Sequence, residues 1–111
     1  MSESIAERVA REVLRWDGVS AKPHRFGGVE FRVAQHEIGH LHGDRVADLP
    51  VPLRVKEELV ASGLASPHHH LPHTGWVSRY IGGPDDVPAV IDLLRRNYDR
   101  IRAASVHRRS G

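Results

Sequence analysis

VEFRVAQHEIGHLHGDRVADLP, residues 29–50, decides the fold. Val29, Phe31 and Val33 alternate with Glu30 and Arg32, the period-2 mark of a half-buried strand. A short turn over residues 34–36 leads into a second strand, residues 37–42, and a brief third extended piece follows over residues 46–49. Connections this short cannot make the crossover that parallel strands need, so the sheet is expected to be mainly antiparallel.

Helical signals flank this core on both sides. Ser4 opens a first helix, with Glu7 three positions on as its capping-box partner. Ile5, Val9, Val13 and Trp16 follow at helical spacing, and Gly18 supplies a left-handed stop. Residues 19–27 read as a connector, punctuated by Pro23 and Gly27. Downstream, Pro50 and Pro52 introduce a helix to about residue 62, with Gly63 as its cap. Residues 68–71 and 76–81 look extended, separated by Pro72 and a turn at Thr74 and Gly75. A last helix runs from Pro84 to about residue 103; Asp85 and Asp86 suit its positive end, and Val87, Val90, Ile91, Leu94, Tyr98 and Ile101 form its apolar stripe. The expected architecture is α+β: a two-layer sandwich whose mainly antiparallel sheet is packed by the N-terminal and C-terminal helices. It forms one domain, residues 1–104, followed by a basic, disordered tail, residues 105–111.

Composition narrows the function classes. With 40% hydrophobic and 27% charged residues in 111, the chain is a single globular domain. It has no cysteine, which excludes disulfide frameworks, thiolate metal sites and cysteine nucleophiles. No apolar run approaches the ~20 residues that span a bilayer, and the expected location is cytoplasmic with no membrane partner. Net charge is +2, unevenly placed. Six arginines (95, 96, 100, 102, 108, 109) against Asp99 alone make the C-terminal end basic, while the rest is mildly acidic. Those arginines would support weak nucleic-acid binding, although a solvated helix end is the simpler reading.

Histidines are the chemical signal. On a strand, residues 38, 40, 42 and 44 share one face, so Ile38, His40, His42 and Asp44 are expected on one side and Gly39, Leu41 and Gly43 on the other. The bare glycine side permits close packing of a helix or backbone. Alternating imidazoles converge above the sheet, where Asp44 or Asp48 can add a carboxylate and His68 or His69 a further imidazole. Two arrangements satisfy these residues. In one, His40, His42 and His68 ligate a transition metal. In the other, favoured with nine histidines in the chain, the imidazoles and aspartates form a metal-free polar pocket. The catalytic candidates are His40, His42, Asp44 and Asp48, and the substrate-binding candidates are His68, His69 and Trp76. Trp16 and Trp76 both suit core anchors, Trp76 with the added option of lining the pocket. His36, His73 and His107 read as surface residues. No glycine-rich phosphate loop or nicotinamide fingerprint is present, so no nucleotide cofactor is expected.

The blocks Gly27-Gly28-x-Glu30-Phe31, Gly39-His40-x-His42-Gly43-Asp44-x-x-Ala47-Asp48-x-Pro50 and Pro67-His68-His69-x-x-Pro72-x-Thr74-Gly75-Trp76-Val77-Ser78 have a common source. Together they resemble the small bacterial luciferase-domain proteins, whose domain also occurs in fungal luciferases. The resemblance spans about residues 5–100. It implies oxidation of a hydroxypyrone-type molecule by oxygen, as in the fungal members. The chain departs from the pattern at His70 and His73, which sets those two outside the site. More faintly, the element order resembles bacterial double-wing proteins with a frataxin-like fold, which would imply nucleic-acid binding. Three functions thus stand side by side: oxidative chemistry on a small enol or phenol-like molecule, a non-catalytic small-molecule or metal-binding module, and a nucleic-acid or protein interaction domain.

Overall fold

The computed structural model describes residues 3–24 and 27–110, the side chains of 107–110 excepted. Its sheet has six strands: β1 (Ser20–His24), β2 (Gly28–Val33), β3 (His36–His42), β4 (Val46–Pro50), β5 (Ser66–Pro67) and β6 (Trp76–Tyr80). They lie in the order β1-β2-β3-β4-β6-β5, and every neighbouring pair is antiparallel. The helices are α1 (Ile5–Val13), α2 (Leu53–Ala61) and α3 (Val87–Ser110). This is the α+β arrangement expected, with terminal helices laid on an antiparallel sheet.

Local chemistry explains the elements. At the start of α1, Ser4 Oγ accepts the Glu7 amide at 3.0 Å and Glu7 Oε1 accepts the Ser4 amide at 2.9 Å, a complete capping box. The turn joining β2 to β3 puts Ala34 and Gln35 at φ 51° and 66°. Positive φ at both central positions is the tight-hairpin geometry that matches strand twist, reached here without glycine. β3 is bulged. Phe31 pairs with Gly39 but Arg32 with Glu37, so Ile38 is an extra residue.

The two faces of the sheet differ completely. Phe31, Leu41, Ala47, Leu49 and Val77 join Val9, Val13, Val90, Leu93 and Leu94 in one buried apolar core. Gly39 makes the contact between layers close: a Cβ there would lie 2.9 Å from both the Asp48 carbonyl oxygen and Leu94 Cδ2. Asn97 ties α3 to the sheet by donating from Nδ2 to the Ile38 and Pro50 carbonyls, at 2.8 and 3.0 Å. Trp16 is a core anchor, its ring 5.4 Å from that of Tyr98.

Four expectations change. Residues 20–24, read as a connector, form edge strand β1. An edge strand tolerates Pro23 because its N–H side needs no partner. The extended piece expected at residues 68–71 lies two residues earlier: only Ser66–Pro67 pair with β6, and hydrogen bonds Leu71 N→His68 O and Thr74 N→Leu71 O then fold the following residues into turns. Ile38, expected beside His40, sits fully buried in the core at the bulge. Finally, α3 extends past residue 103 to Ser110; the side chains of the basic tail from residue 107 lie outside the described residues.

Gly39→Ala is expected to cost at least ~1 kcal/mol, because the methyl meets β4 backbone that cannot yield as a flexible side chain would. Urea denaturation measures this. An unchanged midpoint would mean that the sheet and α3 are further apart than described.

Candidate functional site

The face of the sheet away from α1 and α3 is polar, and register places its residues. In β4, Asp48 lies between the core residues Ala47 and Leu49, so its side chain takes the opposite face. His40 on β3 and Ser78 on β6 are its direct cross-strand partners. The His68 amide donates to the Trp76 carbonyl at 3.3 Å, which continues the β5 edge and brings His68 to the same place.

Asp48 is 1% exposed, and its two oxygens are divided between different partners. Oδ1 accepts the Ser78 hydroxyl at 2.6 Å. Oδ2 faces three imidazoles: His40 Nε2 at 3.4 Å, His42 Nε2 at 3.2 Å and His68 Nε2 at 3.3 Å. Two glutamates hold the outer nitrogens of neighbouring rings. Glu37 Oε2 lies 2.6 Å from His40 Nδ1, and Glu30 Oε1 lies 3.1 Å from His24 Nδ1. Glu30 is in turn fixed by Arg32 at 2.6 Å and Lys22 at 3.6 Å. Aromatic rings close the group: His24 stacks on His40 with centroids 3.9 Å apart, and the Trp76 ring is 5.4 Å from His40.

Charge follows from this packing. Burial alone would lower the His40 pKa, but hydrogen bonds to Asp48 and Glu37, with the charges of both, raise it to about 9. Burial would likewise raise Asp48; hydrogen bonds from His40 and Ser78 and the neighbouring imidazole charge hold it at about 2 instead. His42 is lowered, first by burial and then by the charge of His40. Glu30 is lowered although burial opposes it, because Arg32 and His24 hydrogen-bond to its carboxylate. Asp48 is therefore an ionised anchor beside a cationic His40.

The structure brings together His40, His42, Asp48, His68 and Trp76 of the expected set. His69 is exposed and stacks on His68, with centroids 5.0 Å apart, outside the ring around Asp48. Asp44 stands apart. The strand ends in a turn at Gly43 (φ 57°), so the alternation that would align Asp44 with His42 stops one residue short. Its Oδ1 instead accepts the Ala6 amide at 2.8 Å, a further cap on α1.

Sequence reasoning missed His24, Glu30, Glu37 and Ser78. His24 lay on the unrecognised strand, although Ser20, Lys22 and His24 do alternate with Ala21 and Pro23. Glu37 would face away from His40 on an unbroken strand; the bulge at Ile38 brings the two together. Glu30 and Ser78 had an available signal, the alternation of β2 and β6. Residues that could hold a metal are His24, His40 and His42, whose donor atoms lie within 4.8 Å of one another.

Most of the C-terminal arginines are occupied within the fold. Arg95 pairs with Asp99, Arg96 with Asp92 and Arg102 with Asp17, while Arg100 donates to Asn97 Oδ1. Among the described residues no helix is long and apolar enough to cross a membrane.

Asp44→Ala is expected to cost ~1 kcal/mol through the lost helix cap, and Asp48→Ala ~3 kcal/mol, because it strips a buried charge of its partner. Denaturant midpoints of the two variants measure the difference. Equal losses would contradict the separate roles given to these aspartates.

A family model described as Luciferase domain matches residues 35–97, more than half of the chain, and the chain belongs to that family. No curated protein and no solved structure matches.

Proposed function

We propose that this member of the Luciferase domain family oxidises a small enol or phenol-like molecule with dioxygen on the helix-free face of its sheet. The observation that carries this reading is the convergence of His40, His42 and His68 on one oxygen of a buried aspartate, beside Trp76. Such a face suits a planar, weakly acidic, electron-rich molecule. The ring lies against Trp76 and the imidazoles, and its hydroxyl reaches the cluster at His42, which at 32% side-chain exposure is the most accessible of the three.

The chemistry asks little of the protein beyond deprotonation and placement. The enol hydroxyl gives its proton to the imidazole–carboxylate cluster. Two electrons of the enolate then form a carbon–oxygen bond to dioxygen, and the peroxide takes the proton back. The sum is enol plus dioxygen to hydroperoxy ketone, with no other reductant consumed. Asp48 fixes the imidazole orientations, Ser78 and Glu37 fix Asp48 and His40, and the imidazolium that the enol proton creates holds the enolate oxygen. His69, stacked on His68 at the rim, contacts the outer part of the ring.

The test is oxygen uptake in air with a panel of hydroxypyrones and catechols. Uptake with at least one compound, reduced at least ~100-fold in His42→Ala and in Asp48→Asn, is expected. Binding of a panel member without oxygen uptake would instead make the chain a binding module, and uptake unaffected by either substitution would move the chemistry off this face.

A further inference from the structure

We propose that His24, His40 and His42 bind a single transition-metal ion, with Asp48 as the adjoining carboxylate. The proposal takes its place from the functional face just described, but it holds whether or not the chain turns over an enol. It rests on three observations that do not depend on one another.

The first is proximity. One donor nitrogen from each of the three rings lies within 4.8 Å of the other two. Ligands of a tetrahedral ion with bonds of about 2.0 Å stand about 3.3 Å apart, so the rings need close by at most ~1.5 Å. Asp48 Oδ2 already stands at that spacing, 3.4 Å from His40 Nε2 and 3.2 Å from His42 Nε2.

The second is which nitrogen is held. An imidazole that binds a metal through Nε2 characteristically donates its Nδ1–H to a carboxylate, which fixes the ring and strengthens it as a donor. His40 and His24 both have that partner, Glu37 and Glu30 respectively. Glu30 is itself held by Arg32 and Lys22, so three charged side chains orient one half-buried histidine on the edge strand. His68 has the opposite polarity. Its Nδ1 accepts the His70 amide at 3.2 Å, so its Nε2 carries the hydrogen and donates to Asp48. His68 is therefore a positioning residue for the carboxylate and not a ligand, although it is as close to Asp48 as the other rings.

The third is location. His24 and Glu30 lie outside residues 35–97, the stretch that carries the family match. β1 nevertheless stacks the His24 ring on His40 at 3.9 Å and supplies Lys22 from the same strand to Glu30. A strand end that only closed the sheet would need neither. Three imidazoles with one carboxylate and no thiolate select zinc, iron(II), cobalt or copper(II) over magnesium and calcium, whose shells are built from oxygen.

The full chain, made without a histidine tag and stripped with chelator, is titrated with cobalt(II) and with zinc. One equivalent of either is expected, with the visible d–d bands of low-coordinate cobalt. His24→Gln and His42→Ala should each weaken binding at least ~100-fold, and Glu30→Gln ~10- to 100-fold. His68→Ala should weaken binding ~10-fold, clearly less than His24→Gln, since it removes an orienting bond and not a ligand. His69→Ala with His70→Ala, exposed residues at the rim, should leave the stoichiometry at one. Circular dichroism checks that each variant folds, and the unsubstituted protein's stoichiometry stands even where one does not. No bound equivalent in the unsubstituted protein, or His24→Gln binding as tightly as the parent, would overturn the proposal. A loss in His68→Ala equal to that in His24→Gln would overturn the ligand assignment. Absence of oxygen uptake by both the metal-free and the metal-loaded protein would count against the oxidative function and leave the metal site intact.

Discussion

A carboxylate with 1% exposure must be surrounded by donors, and Asp48 is the residue around which this face is built. Removing an unpaired ion from water costs several kcal/mol, so its oxygens have to be satisfied by side chains of the neighbouring strands. Cross-strand register supplies His40 on one side and Ser78 on the other, and the His42 and His68 rings close in from the strand end and the β5 edge. The polar face and the apolar face are thus linked through the same residues. Asp48 can point into the cluster only because Ala47 and Leu49 are committed to the core beneath α3, and Gly39 lets that helix come close enough to hold them.

Much of this was legible in the chain, for identifiable reasons. Antiparallel strands with clean alternation, Val29 to Val33 and residues 39–42, fix both the sheet and the side that His40 and His42 take. The Ser4 and Glu7 capping box and the stripe Val90, Leu94, Tyr98 locate the terminal helices equally well. What escaped was whatever broke a period. A single extra residue, Ile38, sends one side chain to the core and turns Glu37 toward His40, and no periodicity analysis can place a bulge without its partner strand. Asp44 was drawn into the expected site by extending an alternation past Gly43, where the backbone turns. Edge strand β1, polar and proline-bearing, carries too little apolar signal to be seen, and His24 went unseen with it.

The result is a division of labour that one layer of helices makes affordable in a chain of 111 residues. Burying a single apolar face against α1 and α3 leaves the other face free of packing duty, and glutamates, histidines and an aspartate can be spent there on each other. Glu37, Glu30, Ser78 and His68 each hold a ring or the carboxylate of the cluster, and in the proposed function and metal site they act as positioning residues. The Luciferase domain match includes Glu37, Asp48, His68 and Ser78, so most of this support lies inside the family's span, and β1 adds its contribution from outside it.

Carbon-detected NMR of the Asp48 side-chain carboxyl, followed in chelator-treated protein between neutral pH and about pH 3, addresses the organising interaction directly. With hydrogen bonds and imidazole charge holding its pKa at about 2, the resonance should remain at the ionised position across that range. A titration step at or above the ordinary aspartate value would contradict the account, since the donors gathered around Asp48 would then fail to offset its burial.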